Sequence, residues 1–427
     1  MPAYTLSQTT LGLDWIHISG YYGNTVESPN YFKGSNVKIG IINDTGIDET
    51  HLDIVANFLQ RFPVNALAFN NGIVLPGQGS NHDDNSVGTE VAGVVAAAGA
   101  VNLYGVAPNA KIIDYAITEF TNEGHRLEKI TAAINHAMDN DVNVLIIALD
   151  LDASALNGAF VQQKNNLRAK IINAFNGGNI VFCEGTGNNH SEMEVNDNRM
   201  SISYALALRD YIVCVGSVDE ISYGSSFVNA SLSIPEQGLV WEASSNYGHE
   251  RMARYGLVGP GTSVNVLTPG NSYATHTRTD LASAFVAGVA AVIFGFFIRI
   301  QPGIASRIVM DIMKGCVYNI PRLTSLQLDA ANDLFTSAYT EKEIYIKGWN
   351  KYTGFGIVNF QILSRVLLEY QLGFINDPIT NSPNPLVKEK LPLTLDAFDE
   401  LALAPGWPDV GPPPFSPPTR PEFLNHD

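Results

Sequence analysis

Residues 281–298 form a run of 18 without a single charge, bounded by Asp280 and Arg299, and no other feature limits the available folds so strongly. The run is long enough to cross a membrane as a helix. It equally fits a helix buried on all sides within a large fold. Its first half, L-A-S-A-F-V-A-G-V-A-A, consists mostly of small residues that suit close packing of helix on sheet, and no second such run occurs. The buried helix is therefore the expectation, and a membrane span is not. Such a helix needs a large core around it, which 427 residues, 45% hydrophobic and only 16% charged, can supply.

The rest of the chain alternates between two periodicities. Residues 37–42, 110–117, 144–149, 180–183 and 212–215 read as short apolar strands of the buried parallel kind. Between them, residues 87–98 read as a small-residue helix. Residues 126–138 place Leu127, Ile130, Ile134 and Met138 at helical spacing, and residues 165–175 form a helix stopped by Gly177-Gly178. Strands separated by helices predict an α/β fold with a doubly wound, mostly parallel sheet. From residue 373 the chain is rich in Pro, Asn and Asp, with six prolines in the eleven residues 411–421, which predicts an extended tail. The expected organisation is an N-terminal extension over 1–33 that packs on the domain, one domain over 34–372, and a tail over 373–427.

Acidic residues outnumber basic ones 42 to 25, for a net charge of -17, so nucleic acid is a poor partner. The cysteines, Cys183, Cys214 and Cys316, are too few and too scattered for a disulfide framework and read as buried thiols. Residues 1–20 lack the basic and apolar regions of a secretory leader, which makes the cytoplasm the default expectation.

In an open parallel sheet, chemistry belongs at the carboxyl ends of the strands. Asp44-Thr45-Gly46 and Gly187-Asn188-Asn189 fall there, and Thr279-Asp280 opens the long apolar helix. Around these residues the chain resembles the subtilisin-like serine peptidases, the subtilases, in six ordered blocks between about residues 34 and 365. G-S-N-V-K-I-G-I-I-N-D-T-G-I-D-E-T-H-L-D-I is similar to the strand delivering the family's triad Asp, which falls on Asp44. D-N-S-V-G-T-E-V-A-G matches H-G-T-H-V-A-G and is followed by Y-G-V-A-P-N-A-K. The segment over 184–189 resembles the block whose Asn donates to the oxyanion, here Asn188. G-P-G-T-S-V-N-V-L-T-P-G, R-T-D-L-A-S-A-F-V-A-G and Y-T-G-F-G-I-V-N-F complete the series. The resemblance implies a three-layer α/β/α subtilisin-like fold.

The departures fall on the catalytic positions. Val87 stands where the family has its general-base His, and Asp280 where it has its nucleophilic Ser. Of the triad, Asp44 alone remains, and its role there is to orient a His this chain lacks. His82 and His276 are near in sequence, but no serine stands at the helix entry for either to activate. Ala148-Leu149-Asp150-Leu151 replaces the S-L-G-G strand that pairs with substrate, so Asp150 and Leu151 are expected to add side chains to a narrower, more acidic cleft. Ala284 and Phe285 replace the Pro and His after the nucleophile, which suits an apolar helix.

Asp44 and Asp280 are expected to meet in that cleft, with Glu90 as an extra acid one turn behind Val87. Three readings stay open: an inert cluster neutralised by Arg278, lysine or backbone N–H groups; carboxylates doing acid/base work beside Asn188; or a hard-cation site. Asp53 matches a position that in the family often helps bind calcium, but the loop from Ala98 to Tyr104 is too short for the usual companion ligands, so calcium is not expected there; apart from the hard-cation reading of the cleft, no cofactor is expected. The leading expectation is an inactive pseudopeptidase serving as a scaffold or binding a polypeptide partner. An enzyme with repurposed carboxylates comes second, and a serine endopeptidase last.

Overall fold

The computed structural model describes residues 33–62, 86–118, 120–152, 160–190, 199–220, 239–242, 244–247, 256–300, 303–318 and 353–360, together with Leu363, Ser364, Val366 and Leu367. The tail and nearly all of the expected N-terminal extension lie outside them, as does His82.

One sheet organises these residues. Its spine is β1 (Lys38–Asn43), β3 (Lys111–Ala116), β4 (Val144–Ala148), β6 (Val181–Gly185), β8 (Ile212–Glu220) and β10 (Gly256–Pro260). The edges are β2 (Phe58–Arg61) on one side, and β14 (Ile357–Val358) with β13 (Val317–Tyr318) on the other. The order is β13-β14-β10-β8-β6-β4-β1-β3-β2, with β9 (Leu239–Trp241) pairing β8. All pairs are parallel except β8 with β9 and β13 with β14. Strands β1, β4 and β6 are buried almost throughout, the signature of a sheet covered on both faces. Helices and this mostly parallel sheet make a layered α/β/α fold.

The helices are α1 (Val87–Ala96), α2 (Glu123–Asp139), α3 (Val161–Asn176), α4 (Ile202–Ala205), α5 (Thr279–Ile300) and α6 (Ser306–Gly315). The uncharged run lies within α5, which packs across β4, β6, β8 and β10 and against α1 and α6. Its side chains from Leu281 to Phe297 are buried apart from its glycines' lack of one, so the helix is interior to the protein. Gly288 fits against Val106, where a Cβ would lie 2.4 Å from the valine Cβ. Small residues in the run thus serve the close packing that the sequence predicts.

Register sets the position of the cleft. Asn43 on β1 is level with Ala116 on β3 and Ala148 on β4, and Ile147 on β4 is level with Glu184 on β6. The residues that follow, Asp44, Ile117 and Leu149, therefore leave the sheet side by side. Helix α1 closes on them because Gly88 has no side chain: a Cβ there would lie 2.0 Å from the Gly46 carbonyl oxygen. The Gly88 amide donates to Thr45 Oγ1 at 2.8 Å, which locks the Asp44-Thr45-Gly46 turn to the start of α1.

Candidate functional site

At this carboxyl edge lies a cavity of about 630 Å³. Asp44, Val87, Ala148, Leu149, Asp150, Asn188 and Asp280 all line it, so the structure gathers most of the sequence-predicted residues in one place. Two of them are placed differently. Leu151 is fully buried in β5 (Leu151–Asp152), which pairs with β7 (Arg199–Met200), so its side chain enters the core and not the cleft. Glu90 does not line the cavity; it is fully buried behind Val87.

Glu90 is held there by its neighbours. It takes hydrogen bonds from Ser86 Oγ and Arg278, and His276 Nδ1 lies 2.9 Å from its carboxylate. Arg278 also reaches Asp280, with Nε 3.0 Å from Oδ1. One guanidinium therefore bridges a buried acid and the acid at the helix entry. Burial works against the charge on Arg278, but Asp280 and Glu90 outweigh it and keep its pKa above the ordinary value. Burial is also the main influence on Asp280 and raises its pKa, despite the opposing pull of Arg278 and of the Leu281 amide, which donates to Oδ1 at 2.9 Å. Ser283 is occupied as well, its hydroxyl donating to the Asp280 carbonyl at 2.8 Å.

Asn188 faces the same helix entry. Its Oδ1 accepts the Thr279 amide at 2.8 Å, and Thr279 Oγ1 in turn accepts the Gly187 amide at 3.0 Å. The side-chain oxygen thus caps α5, which leaves the amide NH₂ as the group able to donate elsewhere. Asn188→Ala is expected to lower stability by about 1 kcal/mol through loss of this cap, measured by urea unfolding.

Sequence reasoning missed three charged residues here, Glu184, Arg126 and Glu123. Glu184, at the end of β6, lines the cavity while almost wholly buried. It accepts the Ile202 amide and, at 2.9 Å, the Ser203 amide. Burial nonetheless dominates and pushes its pKa up to about 8, with Asp150 adding to the rise. An acid ending a continuous apolar run was the available signal. Arg126 lies in the first turns of α2, which starts at Glu123 because Asn122 caps it, three residues before the periodicity alone suggests. Its guanidinium stacks over Phe120 at 4.9 Å, lies 3.9 Å from Asp44 and 3.6 Å from Glu123, and donates to the Asp150 carbonyl at 2.7 Å.

Asp53 lies elsewhere. Its carboxylate accepts the Val101 amide at 2.6 Å, the Asn102 and Leu103 amides at 3.2 Å, and the Tyr273 hydroxyl at 3.0 Å. Among the described residues, no group of three or more His, Cys, Asp or Glu is arranged to hold a metal ion.

The model of the subtilase family, peptidase S8, matches residues 34–310. The chain belongs to the subtilase family. Among its subtilase relatives is subtilisin DY of Bacillus licheniformis, 31% identical over 264 residues that cover 61% of this chain and 78% of that protein. Another is the thermophilic serine proteinase of Bacillus sp. (strain AK1), 28% identical over 263 residues; the match covers 61% of this chain and only 53% of that relative. The solved structure of the S41 psychrophilic protease superposes with a TM-score of 0.55 at 20% identity, covering 83% of this chain and 99% of that one. At that identity the likeness concerns the subtilase fold alone.

Proposed function

We propose that this subtilase is a pseudopeptidase whose cleft binds polypeptide without cutting it. The observation that carries the reading is Asp280, which stands in R-T-D-L-A-S-A-F-V-A-G at the position of the nucleophile in the resembling family block. Its Oδ1 is engaged by Arg278 and by the helix's own Leu281 amide. A carboxylate attacks an amide far less readily than an activated serine, and Val87, at the place of the general base, takes no proton. In subtilisin, loss of Ser or His alone costs on the order of a million-fold in turnover. Binding is supported by the cavity, which keeps about 630 Å³ of space beside Ala148, Leu149 and Asp150.

The test is a quenched-casein assay run beside labelling with a fluorophosphonate. Neither hydrolysis nor labelling is expected from the folded chain, and labelling of any serine sinks the reading. Val87→His with Asp280→Ser is expected to recover little activity, because Arg126 still occupies the Asp150 carbonyl.

A second reading has Asp280 and Glu184, both with raised pKa values, doing acid/base work beside Asn188. It requires a bell-shaped pH profile on some substrate, abolished by Asp280→Asn or Glu184→Gln.

A further inference from the structure

Arg126 gives the cleft a chemistry that bears on which polypeptides fit it. The residue is only 7% exposed, yet its Nε makes no hydrogen bond. Its contacts with Asp44 and Glu123, at 3.9 and 3.6 Å, compensate charge but exceed hydrogen-bond length. Its hydrogen bond goes to the carbonyl of Asp150, on the segment that runs past the end of β4 and lines the cavity. At that rung the cleft presents a guanidinium where a strand edge would present a free carbonyl. An extended ligand placing an N–H there finds the Asp150 carbonyl already engaged by Arg126.

Resting on the polypeptide-binding reading, we infer that the cleft selects an extended segment of a separate polypeptide with proline at the rung facing Asp150 and no acidic side chain nearby. Proline lacks the N–H that Arg126 would leave unpaired. The ring of Phe120, 39% exposed and lining the cavity, offers an aromatic surface of the kind on which pyrrolidine rings dock. Charge complementarity excludes Asp and Glu from the segment. The cavity holds the carboxylates of Asp44, Glu123 and Asp280, and each arginine that lines it, Arg126 and Arg278, is already set between two acids.

The test uses the full chain and fluorescein-labelled, acid-free eleven-residue peptides in which a single proline is scanned against alanine. One register is expected to bind about tenfold more tightly with proline than with alanine, the worth of one unpaired donor. Arg126→Lys keeps the charge but not the reach, and is expected to bring the ratio to about one while peptide binding persists. Thermal unfolding of the variant checks that it remains folded. Equal binding of proline and alanine peptides, or a preference unchanged in Arg126→Lys, overturns the proline selection and leaves polypeptide binding standing. Failure of every peptide to bind overturns both.

Discussion

Arg278→Leu is expected to destabilise the protein by about 3–5 kcal/mol, the cost of leaving a buried acid without its partner. Glu90 is fully buried, and Arg278 is the guanidinium that offsets it while also holding Asp280. The second half of the experiment isolates the cause. Glu90→Gln in the Arg278→Leu background is expected to recover part of the loss, because it removes the stranded charge. Stability measured by chemical denaturation of the two single variants and the double variant gives the coupling directly. If the double variant is as unstable as the sum of the singles, the pair is not an interacting unit.

Glu184 carries the second large effect, and its sign runs against the usual behaviour of acids in ion pairs. In the folded protein its pKa is raised from 4.5 to about 8. Between those values the folded state holds a proton that the unfolded chain releases. Stability contributed by this group is therefore intact below pH 4.5, falls as pH rises, and is fully lost above about pH 8. The span is worth on the order of 3–5 kcal/mol. Burial raises Asp114 and Asp280 in the same direction, so the wild-type slope includes them. Glu184→Gln, neutral at every pH, should flatten the curve across pH 5–9 while lowering it as a whole, because its NH₂ meets one of the two amides, Ile202 and Ser203, that the carboxylate accepts; both effects are read from unfolding midpoints. A parallel curve for the two proteins would show that Glu184 does not titrate in this window.

Much of the architecture was legible because burial on both faces of a parallel sheet leaves an unmistakable trace. The continuous apolar stretch over 144–149 became β4, and the run after Asp280 became an interior helix. Motif order placed Asp44, Val87, Asn188 and Asp280 around one cavity. Arg278 was already one candidate for neutralising the acids. Its bridge from Asp280 to Glu90 was not legible, since the two acids are far apart in sequence and meet only when α1 packs on α5. Leu151 failed for a related reason. Strand alternation does not reveal that β5 leaves the sheet to pair with β7, and that pairing sends the side chain inward. Arg126 was hidden by its own setting, because an arginine opening an amphipathic helix looks like any solvated residue until the helix is docked.

Helix α5 also has a kinetic consequence. It rests on four strands drawn from residues 144–260, so its resting place is complete only after most of the sheet has formed. Long-range closure of this kind is slow. Until it finishes, an uncharged helix remains exposed, and exposed apolar surface of that length promotes association between chains. Yield on refolding should therefore depend on protein concentration more steeply than equilibrium stability would suggest, even though the finished molecule hides nearly all of the segment.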